Sequence, residues 1–416
     1  MNYDEMIKNY GLKKDKNSIW AYPVNQDEYN YNSNDFGIKI HISASIINYK
    51  YILKKFIKWN SYNIGYKVVN SFDNLCKLNS GRYGYSQTGK FITIYPKNNS
   101  KYLLKILEEL YKIFAEFQSP RIPSDYPFLD SKVVYVRYGE IHGNSTNSLD
   151  KRDGSIPEIA KKILPTLAMK SYKKFPDNLI VLSILRKNAK GGVYKALDLK
   201  LKQIVILKEA MSRNTVLFDG TSSVLNLFRE GQLLKKFKFD LSPKFIDIFW
   251  IGENLFLEEE YIKGPTLENL IEQQSIKEND KNNIMLALLD AINKFHSETK
   301  MIINDISPAN IIITNNNIKL IDFEFSVENR SNIPLIYGTS GFHDDEYNFN
   351  DYTVDHYGIC MCYFYILNPE KYTKNLKINK DMISRYEDNY IWFKNSIDHK
   401  YENDIDWIRG FKREFL

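Results

Sequence analysis

The sequence predicts an α+β protein of two domains, and three observations carry the prediction. Between residues 37 and 140, short runs with strand alternation are interleaved with runs of amphipathic helical spacing. Residues 141–178 lose both periods and turn polar, with Gly and Pro breakers. From residue 179 a strand-rich stretch follows, and beyond residue 264 the chain turns helical. The 416 residues suit two or three domains. The boundaries are expected at 1–165 and 178–416, with a connecting region that reaches about residue 178.

The first strand is expected at 37–44, in "GIKIHISAS". Strand side chains alternate, so Lys39 and His41 share one face while Ile38, Ile40 and Ile42 take the other as core. "SIINYKYILKKFIKW" (45–59) reads as a helix with Ser45 as N-cap. Further strands are read at 64–71, at 89–96 (stopped by Pro96) and at 132–140, and an amphipathic helix at 101–117. Residues 1–36 show weak periodicity. Residues 179–210 read as strands with a turn on Gly191-Gly192.

Hydrophobic residues make up 43% and charged residues 26%, with a net charge of +6. This balance favours anionic ligands without demanding nucleic acid. Cys76, Cys360 and Cys362 form no zinc-ligand spacing and no disulfide framework, so no zinc and a reducing cytoplasm are expected. The N-terminus lacks the apolar block of a secretory signal, and the apolar run at 357–367 is too short to span a bilayer. No membrane association is expected.

The strongest chemical signal is "INDISPANIII" (303–313) followed by "KLIDFEFS" (319–326). Asp305 and Asn310 lie five apart, and Asp322-Phe323 follows. Phosphoryl transfer needs an aspartate to orient the attacking hydroxyl. It also needs an amide and a second carboxylate to hold Mg²⁺ between phosphate oxygens. This ordered set resembles the catalytic loop and magnesium motif of protein kinases. Matching pieces stand upstream in order. Gly191, Gly192 and Val193 form a shortened Gly-rich turn, Lys208 is a phosphate-binding lysine on a strand, and Glu230 is its helical partner. Glu259 and Tyr261 fall in the hinge-like "EEEYIKG", "YGTSGF" (337–342) resembles an activation segment, and Asp355 is placed to brace the catalytic loop. A bilobal protein-kinase-like domain binding ATP or GTP with Mg²⁺ is therefore expected. Ile303-Asn304 replace the usual His-Arg, so no activation by loop phosphorylation is expected.

In the N-terminal half, Lys67, Arg82, Lys90 and Arg137 lie on the strands flanking Lys39 and His41 or at their ends. Six cationic or titratable groups on adjacent strands suggest one pocket for a phosphate. "KIHISA", "SQTGKFITIYP" and "VVYVRYGE" resemble the lyase domain of class III lanthipeptide synthetases and, more distantly, bacterial phosphothreonine lyases. "NAKGGVYKA" and "VILKEA" resemble the kinase domain of the same synthetases. The resemblance implies a phosphoserine/phosphothreonine lyase-like domain joined to a Ser/Thr kinase. Together they would dehydrate a leader-bearing precursor peptide by phosphorylation and β-elimination. It implies Lys39 as base, His41 as acid and Lys67 as a phosphate-binding or enolate-stabilising group. Arg82, Lys90 and Arg137 would be phosphate contacts, and Tyr138 an extra donor or an aromatic packing residue. The family's C-terminal cyclase domain is not recognised in this chain, and three explanations stay open: the sequence is truncated, the cyclase is a separate protein, or the enzyme only dehydrates. Two competing readings stay open: a Ser/Thr or small-molecule kinase with a phosphate-binding regulatory domain, and a non-catalytic kinase-like scaffold.

Overall fold

A computed structural model describes residues 2–24, 36–97, 100–140, 158, 161, 174–188, 190–213, 221–238, 240–314, 317–332, 338–344, 346–372 and 390–416. The expected connecting region lies almost wholly outside the described residues. The chain divides into two compact units. The first comprises Met1–Tyr194, Lys208–Leu225 and Phe249–Phe256; the second comprises Lys195–Leu207, Asn226–Ile248 and Leu257–Leu416.

The first unit is built on a seven-stranded sheet. Its strands are β1 (Leu12–Lys14), β2 (Trp20–Pro23), β3 (Phe36–Ile42), β4 (Gly65–Val69), β5 (Ile92–Tyr95), β6 (Tyr126–Pro127) and β7 (Val134–Glu140). The order is β1-β2-β4-β5-β3-β7-β6, and the reported pairs are antiparallel. Ile38, Ile40 and Ile42 are wholly buried and form the core face. Helix α1 spans Tyr3–Asn9, α2 Tyr49–Trp59, α3 Phe72–Asn79 and α4 Ser100–Ile113. α2 buries Tyr49, Ile52, Leu53 and Phe56, the i, i+3, i+4, i+7 stripe that makes it a helix packed on one face. It starts later than expected. Ser45 Oγ instead accepts the N–H groups of Ile47 and Asn48, closing a turn ahead of the helix. β1, β2 and α3 were not legible in the sequence, because each is too short to show a clear period.

Strands β8 (Leu179–Lys187), β9 (Gly191–Asp198), β10 (Gln203–Ala210), β11 (Phe245–Ile251) and β12 (Asn254–Glu260) form a five-stranded sheet, in the order β11-β12-β10-β9-β8. The unit boundary cuts through β9, β10, β11 and β12. The expected turn on Gly191-Gly192 is corrected. Both glycines open β9, and Asn188 makes the turn by accepting the N–H groups of Lys190 and Gly191.

The second unit adds α5 (Ser223–Lys236, from Asn226 on), α6 (Leu267–Glu272), α7 (Glu278–Thr299), α8 (Tyr352–Leu367), α9 (Ile391–Ile397) and α10 (Asp404–Phe415). Short pairs β13 (Met301–Ile302) with β16 (Val327–Glu328), and β14 (Ile311–Ile313) with β15 (Ile318–Leu320), flank the catalytic-loop sequence. The apolar run at 357–367 belongs to α8, which is buried on every side from Thr353 to Ile366 and holds Cys360 and Cys362 as packing groups. A helix apolar all round is a core helix. Among the described residues no helix is long and apolar enough to cross a membrane.

Candidate active site

In the first unit, the sheet places two rows of side chains on the face opposite the isoleucines. Arg137 on β7 lies directly across from Lys39 on β3. In the next row, Tyr135, His41, Thr93 and Lys67 stand side by side on β7, β3, β5 and β4. Directly opposed strand residues share a face with Cβ atoms about 5 Å apart, so register alone assembles this group. Lys90 arrives from the segment before β5. Tyr138 pairs with Ile38, on the core-side face, and stacks on Phe36; it is an aromatic packing residue. Arg82 stands apart. It is exposed on the turn after α3, its N–H donates to the Lys77 carbonyl, and its charge acts on Lys77 and Tyr83. The sheet register that assembles the other cations does not include Arg82, which sits on a surface turn.

The key residue missed in the sequence is Asp125. Its fully buried carboxylate accepts from His41 Nδ1, from Lys90 Nζ at 3.1 Å and from Ser124 Oγ at 2.7 Å. It lies 84 residues from His41, next to β6, and no spacing in the sequence announces it. Burial alone would raise the Asp125 carboxyl. Lys90 and His41 outweigh burial and hold it well below the usual carboxylate range. His41 moves the other way from most paired histidines. Burial, Lys90 and Lys39 push it far down, and Asp125 recovers only part of the shift. At neutral pH the ring is neutral, its Nδ1–H is donated to Asp125, and Nε2 remains as the second working position.

The two sheet lysines differ. Lys39 Nζ donates to the Glu140 carbonyl at 2.6 Å. Lys67 Nζ sits 4.2 Å above the Trp20 ring. Burial, helped by the charge of Lys90, brings Lys67 down to about 8. A lysine in that range supplies free amine near neutral pH.

The kinase-like residues fall on both units: Gly191, Gly192, Val193 and Lys208 in the first, and Glu230, Glu259, Tyr261, Asp305, Asn310 and Asp322 in the second. In the first unit a Cβ on Gly191 would lie 1.7 Å from the Glu209 carbonyl oxygen, so only glycine lets β9 meet β10 there. In the second unit, Asp305 Oδ1 accepts both the N–H (2.6 Å) and the Oγ–H (2.7 Å) of Thr339. Asn310 Nδ2 donates to the Asp305 carbonyl at 3.0 Å, which turns the amide oxygen away from Asp305. Asp322 follows β15 with a left-handed backbone, φ +71°. Buried Glu230 accepts the Phe323 N–H at 3.1 Å, and the Phe323 ring packs on Phe237 and Phe295. Glu259 is buried at the end of β12, and Lys195 Nζ lies 4.3 Å over the Tyr261 ring.

The catalytic loop hangs on a buried acid–imidazole chain. Asp355 accepts the N–H groups of Ile303 (2.7 Å) and Asn304 (2.9 Å). It also accepts from His296 Nε2 at 2.9 Å, while His296 Nδ1 faces Asp404 at 3.0 Å and His356 Nε2 meets Asp404 at 2.7 Å. Burial opposes charge on His296, but hydrogen bonds to Asp355 and Asp404 raise it to about 9. Asn304, in place of the usual arginine, is buried in the left-handed region (φ +69°), which Asn tolerates better than most residues.

A row of cationic side chains and a kinase-like catalytic-loop sequence stand in one chain, and comparison with known sequences shows the kinase class. Residues 183–412 match the protein kinase domain family, and the chain belongs to it. Residues 4–163 match the family described as RamC, N-terminal domain. The chain is 26% identical over 329 residues to the probable SapB synthase of Streptomyces coelicolor, covering 69% of this chain and 35% of that protein. It is 28% identical over 148 residues to a probable serine/threonine-protein kinase of Dictyostelium discoideum, covering 35% of this chain and 28% of that one. The chain thus spans about a third of the length of the curated relatives it matches.

Proposed function

We propose that this chain dehydrates Ser and Thr residues of a leader-bearing ribosomal precursor peptide, as in lanthipeptide biosynthesis. The kinase domain phosphorylates the hydroxyl, and the first unit then eliminates phosphate to leave dehydroalanine or dehydrobutyrine. The observation that carries the reading is the pairing of a low-pKa lysine with an Asp-held neutral histidine on one sheet face, among further cations.

Lys67, which burial and the charge of Lys90 bring to about 8, serves as the base, and Lys39 takes an anion-holding role, an exchange of the roles expected from the resemblance. Lys67 Nζ takes the α-proton, the released electron pair forms the Cα–Cβ double bond, and the Cβ–O bond breaks toward the phosphate. Lys39 and Arg137 hold the anion that develops. An arriving phosphate brings the negative charge that favours a proton on His41 Nε2, from which the leaving oxygen is protonated. Thr339 and Asp305 orient the attacking hydroxyl in the phosphorylation step. Asn310 and Asp322 are oxygen donors, the hard set that suits Mg²⁺. ATP or GTP with Mg²⁺ supplies the phosphoryl group and neutralises its charge. The kinase resemblance implies Lys208 and the Gly191-Gly192-Val193 segment for the nucleotide phosphates, Glu230 as the partner of that lysine, and Glu259 and Tyr261 as the hinge. The dehydrated residues are the acceptors on which a thiol would close a thioether ring, and the work would take place in the cytoplasm.

The test is mass spectrometry of a candidate precursor after incubation with nucleotide and Mg²⁺. The wild-type chain removes one water per modified residue. Lys67→Ala and His41→Ala accumulate phosphopeptide, and Asp322→Asn loses phosphorylation while still eliminating phosphate from a synthetic phosphopeptide. Dehydration at the wild-type rate in Lys67→Ala and His41→Ala overturns the lyase assignment.

A further inference from the structure

The compact units do not follow the family spans. Lys208–Leu225 and Phe249–Phe256 belong to the kinase family match by sequence, yet they cluster with the N-terminal domain. The joint is made of named contacts. Arg213, five residues after Lys208, donates from Nη1 to the Lys132 carbonyl at 3.2 Å and to the Tyr135 hydroxyl at 3.3 Å. Its Nη2 meets Glu253 at 3.4 Å, and Glu253 also pairs with Lys132 and accepts from Ser212 Oγ. The Arg213 carbonyl accepts the Arg121 N–H at 3.1 Å. Arg213 adopts φ +57°, a left-handed conformation that non-glycine residues take only where the surroundings hold it.

Tyr135 is the consequential contact. It is 1% exposed and directly opposite His41 on the neighbouring strand. We infer that Arg213, a residue of the kinase domain by sequence, is a positioning residue for elimination: its guanidinium holds the Tyr135 hydroxyl and so fixes the wall against which His41 is set. Tyr135 blocks sideways movement of the His41 ring while Asp125 orients it. Loss of the guanidinium leaves a buried phenol without its donor beside the reacting histidine. The inference rests on the lyase reading above. It adds that the kinase half is needed for elimination even when no phosphoryl transfer takes place.

The experiment uses the full chain and a synthetic phosphoserine peptide without nucleotide, following phosphate release. A displacement of the reacting group by a fraction of an ångström lowers kcat for elimination by about tenfold in Arg213→Ala, with KM moved less than about twofold. Tyr135→Phe, which removes only the hydroxyl, gives a similar loss, and the double variant is no worse than either alone. Arg213→Lys or added guanidinium ion recovers part of the rate. ADP formation with unphosphorylated peptide stays at the wild-type level in Arg213→Ala. Wild-type elimination in both Arg213→Ala and Tyr135→Phe overturns the inference, as does a strictly additive double variant. A wild-type chain that releases no phosphate overturns the lyase reading, and this inference with it.

Discussion

Of the buried histidines that face aspartate, His41 and His296 end in opposite charge states. His41 has one carboxylate, which it shares with Lys90, and Lys39 stands nearby; it is held neutral. His296 lies between two carboxylates, Asp355 and Asp404, and is held protonated. Burial opposes charge at both. The difference is the local count of anions against cations. On the proposed reading, a neutral imidazole among cations exchanges a proton when a phosphate arrives. An imidazolium locked between carboxylates cannot leave its charge state near neutral pH, and it serves as a rigid strut for the catalytic loop.

The largest expected effect breaks the first member of the pair. Asp125→Asn removes the carboxylate that orients His41 and offsets Lys90. Elimination from a phosphopeptide falls by about 10²–10⁴, while ADP formation in the kinase assay does not change. A loss under threefold in phosphate release would remove Asp125 from the mechanism. The second effect breaks the other member. His296→Ala leaves Asp355 and Asp404 buried without their cation and costs about 3–5 kcal/mol of stability. Urea unfolding of the full chain is expected to show the loss, and an unchanged midpoint refutes the strut.

The third prediction sharpens the comparison through pH. His296 is raised above its unfolded value near 6.5, so its contribution to stability is complete below that value and is lost as pH rises through about 9. His41 is lowered, so the unfolded chain gains its proton first, and stability is lost as pH falls below about 6.5. In thermal scans, His296→Ala should flatten the alkaline limb alone, and His41→Ala should relieve part of the acid limb. Lys67 adds a kinetic limb: kcat/KM for elimination rises with pH through about 8, and Lys67→Arg, which cannot lose its proton there, stays inactive at every pH.

Much of both candidate sites was legible in linear order. Strand alternation in "GIKIHI" put Lys39 and His41 on one face, and the Asp305, Asn310, Asp322 spacing resembles the kinase motif of the family that the chain matches. Asp355 was legible too, because it follows the loop it braces in a familiar order. Asp125 and Trp20 were not. Both act through contacts between distant segments, and neither segment carries a period long enough to read. Arg82 differs from the strand cations in the same respect: it sits on a surface turn, and no strand register fixes its place.

By itself, then, the order of residues determined the alternation of elements, the face each strand cation occupies, and the kinase loop chemistry. These are local properties, written in spacings of a few residues. Only the tertiary structure decided that Lys67 is brought down by burial, that His41 rests neutral while His296 is charged, and that part of the kinase sequence packs with the N-terminal domain. Each of those depends on burial and on charges brought together across many tens of residues, where Coulomb interaction and desolvation act through space and not along the chain.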